Sequence, residues 1–559
     1  MDDTRVRRIF RWTVVVAWLA VIPIAAQAGV VYVDVTNESG TEDGSLAFPY
    51  NTIREGLDNA VSGDKVFVAA GEYKETISMK DGVSVLGAGP AVTTINAVGH
   101  TNSAVAFNGT RQSPILRGFT ITGGAGDHRG DVGGVPVMIG GGVLILDSNP
   151  VVTGNVITLN AITDGYCLGG GIYVYSAAYS PLIEDNVISN NVALSSTVPT
   201  SGEGAGIYVV SKNGGVVITN NVIDSNTARK GAAIYVRNDV SSTAEITRNT
   251  IRNNEALSGA GIYSLDFSYS TTSIVNNLFV GNGSTSPGSE GGGVKAVSVG
   301  TGAFTISNNT FVQNSLTTGT GGALLLDDMS STAPNVAANN IFADNSASTG
   351  GGIDHTDFFG EIRNNDFFNN TGGDLHDAGV GGSLLVGNLF SDPRFISAAA
   401  GNFRLQSTSP CLDQADESLA PADDLDAFLR PFDGDPTPGP VSDIGAFEYP
   451  GGEVFGLIVI GDGESLDWQP LPSQDSFNLY RGSLQRLRST GEYTQDPGVE
   501  PMAAAFCDIL PIEVPFNDGF VPAPGTAAFY LTTVVITGWE GPLGADSVGL
   551  PRPNDHPCP

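Results

Sequence analysis

Basic residues are scarce in this sequence. Its 559 residues include 26 Lys and Arg against 59 Asp and Glu, a net charge of -33. A surface that acidic repels phosphate backbones, which excludes general nucleic-acid binding. It also disfavours anionic polysaccharides unless a cation bridges the two. Histidine is as sparse: His100, His128, His355, His376 and His556 show no metal-ligand spacing. Although 73 glycines are present, they make neither a Gly-Lys-Ser/Thr phosphate loop nor a dinucleotide fingerprint. They also lack the three-residue period of collagen. Charged residues amount to only 15% against 41% hydrophobic, too apolar a mixture for a disordered chain.

Long apolar runs are missing except at the start. Arg5, Arg7, Arg8 and Arg11 precede an apolar stretch from Trp12 to Ala25, and Ala26-Gln27-Ala28 has the small-x-small form of a cleavage site. This predicts an export signal over residues 1–28 and a mature chain, without a transmembrane anchor, that is extracellular or held at the cell surface. Such a compartment permits disulfides. Of the four cysteines, Cys507 and Cys558 share what reads as one terminal domain and are the expected couple. Cys167 and Cys411 lie far apart.

What the chain has in abundance is repetition. The pattern Asn-x-(Ile or Phe)-x-x-Asn begins at Asn155, Asn186, Asn221, Asn249, Asn277, Asn309, Asn340 and Asn365. An earlier, degenerate copy from Leu116 to Gly124 has Phe119 in place of the first Asn. Glycine-rich turns and short apolar segments flank each window, as in Gly169-Gly170-Gly171-Ile172-Tyr173-Val174, and helical periodicity is lacking. Repeats of this size predict coils of a solenoid. At a tight bend, stacked amides both donate and accept towards the next coil, while the Ile and Phe column fills the interior.

These windows resemble the right-handed parallel β-helix of the pectate lyase-like superfamily, whose coils carry three strands and an asparagine ladder at one bend. The resemblance implies an all-β solenoid. Residues 29–110 then form the N-terminal cap and first coils, including a short helix with a Thr52/Glu55 capping box. Residues 111–390 form the repeats. Residues 391–452, acidic and proline-rich, read as a C-terminal cap. The Ser442-to-Tyr449 run within them resembles the closing segment of bacterial surface proteins of the choice-of-anchor type, and Asp433, Asp435 and Asp443 read as a solvated acidic loop, with a calcium site in the cap as the alternative. Residues 453–559 resemble a fibronectin type III β-sandwich with a tail, Trp468 lying on an early strand. A monomer is the expected state.

If the Asn bend follows the second strand, the glycine-rich segment is the first. Alternation then turns Ile172, Ile207, Ile234 and Ile262 inward and Tyr173, Tyr208, Tyr235 and Tyr263 outward, one per coil. Two readings stand for this column. It is a platform for extracellular glycans, or a stacking ladder that stabilises the sheet. Farther along lie Lys295, Asp327 and Asp354. The lyase resemblance implies Arg237 or Lys295 as the base of a β-elimination, with Asp327, Asp328, Asp354 and Asp357 as oxygen donors for calcium. Without a matched catalytic motif, a non-catalytic glycan-contacting protein is the first reading and a calcium-dependent lyase the second.

Overall fold

The structure is a computed structural model. It describes residues 29–328, 335–356, 358, 360–377, 384–431, 440–449, 457–459, 465–468, 476–510, 514, 516–523, 526–536, 539–540, 554 and 556–558. The export signal and the junction at 450–452 lie outside the described residues.

The repeats wind into a three-sided parallel solenoid. One sheet of 11 strands runs from Ile77–Ser78 to Leu375–Asp377 and collects the first strand of each coil. A 13-stranded sheet from Val30–Val33 to Leu384–Val386 collects the second strands, and another of 11, from Gly71–Tyr73 to Asp366–Phe368, the third. Neighbours within each sheet are parallel and in register, as where Ile172 to Ser176 pairs with Ile207 to Ser211. Inward isoleucines, valines and phenylalanines form one continuous core along the whole array. At its start sits the helix Ile53–Asn59, closed by the Thr52/Glu55 capping box. The Glu75 carboxylate accepts from the Ile53 and Arg54 amides at 2.8 and 3.1 Å.

Two asparagine ladders run the length of the repeats, one before the third strand and one after it. In the first, each Nδ2 donates to the Oδ1 of the next coil at 3.0–3.2 Å, from Asn155 to Asn365 and on to Asn388. The second runs from Asn160 to Asn370 at 2.9–3.0 Å and ends on the Asp374 carboxylate. Between them Phe279, Phe311, Phe342 and Phe367 stack with centroids 4.5–5.1 Å apart. Asn220, Asn276, Asn308, Asn339 and Asn364 precede ladder residues and hold φ between 49° and 56°. Asn tolerates that left-handed backbone better than most side chains, so each doubled Asn bends with one residue and ladders with the next.

Residues 391–449, expected to close the end of the solenoid, pack along its flank instead. Leu405, Cys411, Leu412 and Ile444 cover Ile341 and Ala343, while Phe403, Ala446 and Phe447 cover Leu278 and Val312 on the outer face of the third-strand sheet. Arg248 pairs with Asp423 at 2.7 Å, Arg363 pairs with Asp416, and the Asn276 and Asn308 amides donate to the Asp423 and Asp443 carbonyls. The segment is a strap. Its Ser442-to-Tyr449 motif is a lock: Gly445 has φ 104°, and a Cβ there would sit 2.6 Å from Ile341 Cδ1. Arg430 makes a buried 2.9 Å pair with Glu448 and donates to the Asp443 and Gly445 carbonyls. Asp443 is therefore no part of a solvated loop, since it is buried and accepts from the Asp413 and Tyr449 amides. Asp433 and Asp435 lie outside the described residues.

In the terminal region, a three-stranded and a four-stranded antiparallel sheet share a core of Leu466, Trp468, Phe477, Leu479 and Ile509. Cys507 and Cys558 are joined by a disulfide, with Cα atoms 5.7 Å apart. Cys167 and Cys411 are free and buried. Among the described residues no helix is long and apolar enough to cross a membrane.

Two predictions follow from the polar interior. Replacing Asn277 with Ala strips donors from the Ile246 and Val275 carbonyls as well as the ladder, and is expected to cost about 1–3 kcal/mol by denaturant titration. Asn213 is exposed at φ 58°, so its proper control is Asn213→Gly, which should leave the midpoint close to the parent's. Equal losses in the two variants would sink the ladder's role.

The second concerns pH. Burial pushes the Asp266 carboxyl up to about 6, inside a cluster where it accepts from Asn238, Ser264 and Thr272. Asp366 and Asp424 are likewise raised to about 6 by burial. A folded-state value above the unfolded one (about 4) gives stability that is present at low pH and lost as pH rises through about 6. The melting temperature should therefore be higher at pH 5 than at pH 7. Asp266→Asn should narrow that difference, and an unchanged slope in the variant would refute the assignment.

Candidate functional site

The outer face of the first-strand sheet divides into a covered zone and an open one. In the covered zone, Tyr173, Tyr208, Tyr235 and Tyr263 stand in register on successive coils. Their rings stack at 5.3, 4.9 and 5.1 Å with interplanar angles of 12°, 6° and 8°. They do not form the open platform that glycan binding needs. Tyr173, Tyr208 and Tyr235 are only 8, 6 and 5% exposed. The reason lies four residues upstream of each ring. Gly169, Gly204, Gly231 and Gly259 hold φ between 54° and 72°, and a Cβ at any of them would come within 3 Å of the following tyrosine's Cα or Cβ. The chain turns there against the ring. The segment just before the turn, passing through Leu168, Glu203, Lys230 and Ser258, runs coil to coil alongside. Burial raises the hydroxyls of Tyr173 and Tyr263 to about 12, and those of Tyr208 and Tyr235 further.

Tyr173, Tyr208 and Tyr235 are buried in the stack and Tyr263 is half-buried at its end, and they join Ile139, Leu144 and Leu146 in a second apolar layer outside the sheet. Tyr235→Ala should cost about 3 kcal/mol, by analogy with other buried aromatic truncations. Tyr235→Phe should keep the stack and most of that stability. A Tyr235→Ala midpoint equal to the parent's in urea would show that the layer contributes nothing.

The residues implied by the lyase resemblance do not converge. Lys295 Nζ lies 2.5 Å from Glu290 and, like Lys230, sits over the Tyr263 ring at 5.8 Å. Arg237 pairs with Asp239 at 2.9 Å and covers Phe267. Leu325 stands between Lys295 and Asp354 in the register. Asp354 is buried, 3.3 Å from both His376 Nδ1 and Thr349 Oγ1. Asp327 belongs to the neighbouring outward column, beside Val297 and Thr356. Asp328 faces the interior, where Ser298 donates to it at 2.7 Å. Successive strand residues point to opposite faces, so Asp327 and Asp328 cannot share one calcium. Asp357 lies outside the described residues. Among the described residues no three His, Cys, Asp or Glu side chains are grouped to hold a metal ion.

The open zone lies at the N-terminal coils. A groove of about 370 Å³ has half-buried Ala106 at its floor, over the buried side chains of Leu144, Leu146 and Ile139, and is edged by Ser78 and Asn108. Asp127, His128 and Arg129 form its wall. They begin a hairpin, Asp127–Val132 with Val135–Ile139, that is inserted where later coils make a short bend. Gly133 and Gly134, both with positive φ, make its tip. His128 Nε2 lies 2.8 Å from Asp131 Oδ1, and both side chains are more than half exposed. Asp127 accepts from the Ser103 amide at 2.8 Å, which fixes the hairpin to the coil below. The wall thus offers an imidazole braced by a carboxylate, a guanidinium and a second carboxylate above an apolar floor. This hairpin escaped the repeat analysis because it breaks the repeat. Its signal was a charged cluster, Asp127-His128-Arg129 and Asp131, in the longest interval between windows, Phe119 to Asn155.

A family model, the right handed beta helix region, matches residues 75–311. The repeats form a right-handed parallel β-helix. The matched stretch includes the groove, the tyrosine stack and most of both ladders. No curated protein matches the sequence. Among solved structures, pectate lyase Pel9A shares 12% identity, with 76% of this chain and 97% of that one covered at a TM-score of 0.46. XylC, solved in complex with xylose, shares 11% over 75% and 98%, at 0.37. The lacto-N-biosidase of glycoside hydrolase family 136 from Eubacterium ramulus shares 9% over 65% and 68%, at 0.31.

Proposed function

We propose that this protein is an exported β-helix that holds extracellular polysaccharide in the groove beside the Asp127–Ile139 hairpin without cleaving it. One observation carries the reading: a groove in which convergent hydrogen-bonding groups, Ser78, Asn108, Asp127, His128 and Arg129, stand around a narrow apolar floor at Ala106. Sugar rings present both an apolar face and a rim of hydroxyls, and sites that recognise them combine the same two kinds of surface. Export is supported by the basic, apolar and small-x-small order of the first 28 residues and by the Cys507–Cys558 disulfide, which needs an oxidising compartment. The calcium-dependent lyase reading stands second, since Arg237 and Lys295 are each engaged in an ion pair and Asp328 faces the interior.

Affinity electrophoresis of the secreted chain through gels containing neutral polysaccharides tests this. The parent should be retarded by at least one polymer, and the His128→Ala/Arg129→Ala double variant should migrate as in an empty gel with unchanged circular dichroism. Retardation that survives the double variant would remove the groove from the account. Release of unsaturated products from any uronate polymer, followed by ultraviolet absorbance with calcium present, would overturn the non-catalytic part.

A further inference from the structure

The strap does not run the full length of the third-strand sheet. It covers the third strands carrying Leu278, Val312 and Ile341, and on the coil carrying Thr250 it reaches the bend at Arg248 through Asp423. The step so formed is a cleft of about 400 Å³. On one side lie the sheet residues Val222, Arg252 and Leu278, on the other Phe403, Arg404 and Asp426 of the strap, with Arg248 at the bend between.

Arginine side chains gather in this lining. Three guanidinium groups line it, each paired with a carboxylate: Arg248 with Asp423, Arg252 with Asp224 and Arg404 with Asp426. Two of the arginines are committed to the fold. Arg404 makes a bidentate pair with Asp426, both contacts 2.7 Å, and lies on the Phe447 ring at 4.8 Å. Arg248 ties the strap down through Asp423. Arg252 is different. It is half exposed and uses only Nε, at 2.9 Å from Asp224, so both of its terminal nitrogens are without a hydrogen bond among the described residues. A planar guanidinium with two free donors matches a carboxylate or sulfate oxygen pair, and the flat apolar patches beside it match a ring body.

We infer that this cleft is a second binding site, for an anionic sugar unit: a pyranose ring carrying a carboxylate or a sulfate ester. The volume suits one or two rings. The step is open to solvent, which lets such a unit be presented within a polymer. The site lies on a different sheet from the hairpin groove and does not depend on it.

Calorimetric titration of the full chain with a diuronate, a sulfated disaccharide and a neutral disaccharide is the test. At about 0.15 M salt, where the screening length is about 8 Å, contacts this close persist. At least one anionic probe should bind about tenfold more tightly than the neutral one, and the two anionic arms tell carboxylate from sulfate. Arg252→Gln should weaken that binding about fivefold or more, Arg252→Lys should restore part of it, and the His128→Ala/Arg129→Ala variant should leave it unchanged. Binding of neither anionic probe, equal binding of the neutral one, or an unaltered affinity in Arg252→Gln would overturn the proposal.

Discussion

Every coil of this protein depends on the amide-to-amide hydrogen bond that joins it to the next. A coil contributes one short strand to each of three sheets, and none of those strands has a partner within its own coil. The backbone between second and third strands must also turn sharply in a dry environment, where an unpaired N–H or carbonyl is costly. The ladder asparagines satisfy both demands at once. Each Oδ1 accepts from the side chain and the backbone of the preceding coil, and each Nδ2 donates to a carbonyl there, as Asn277 does to Ile246. A shift of register by one residue would turn the inward Ile and Phe column out of the core along with the ladder. The spacing that makes the repeat visible in the sequence is therefore the spacing that sets the register.

Burial around the ladders explains why charge is so scarce along the repeats. Inward positions that are not apolar carry small or amide side chains that find partners within the coil stack. The exceptions carry a cost that depends on protonation. Asp266 takes donors from three side chains yet has no cation beside it, so its neutral form is favoured. The strap repeats the theme with Asp424 and Asp443, beside a single Arg430 that pairs with the buried Glu448 and donates to the Asp443 and Gly445 carbonyls. The molecule's acidity is an exterior property, and the acids drawn inward are those that behave as hydrogen-bond acceptors first and charges second.

The coil architecture was legible because it rests on periodic backbone demands. The Asn windows, the inward Ile and Phe column and the Thr52/Glu55 capping box each follow from local rules that a sequence states openly. The tyrosine face was half legible. Alternation correctly turns Tyr173, Tyr208, Tyr235 and Tyr263 away from the core, but says nothing of what lies above them. The decisive residues were Gly169, Gly204, Gly231 and Gly259, whose regular place four positions earlier could have suggested a fold-back had their left-handed backbone been considered. The groove and the cleft were illegible for a different reason. Both arise where the repeat is interrupted, one by the Asp127–Ile139 hairpin and the other by a strap edge that meets coils more than a hundred residues away, as in the Arg248–Asp423 pair.

That long-range pairing has a mechanical consequence. A solenoid stretched along its axis comes apart one coil at a time, because each interface carries the load in series. Between Arg248 and Arg363 the strap runs in parallel with those interfaces, fastened at Asp423, Asp443 and Asp416. Tension across that stretch is shared between the coil contacts and the strap's own attachments, so several coils must yield together. The N-terminal coils, including the one that bears the hairpin, have no such brace and would be the first to separate under load.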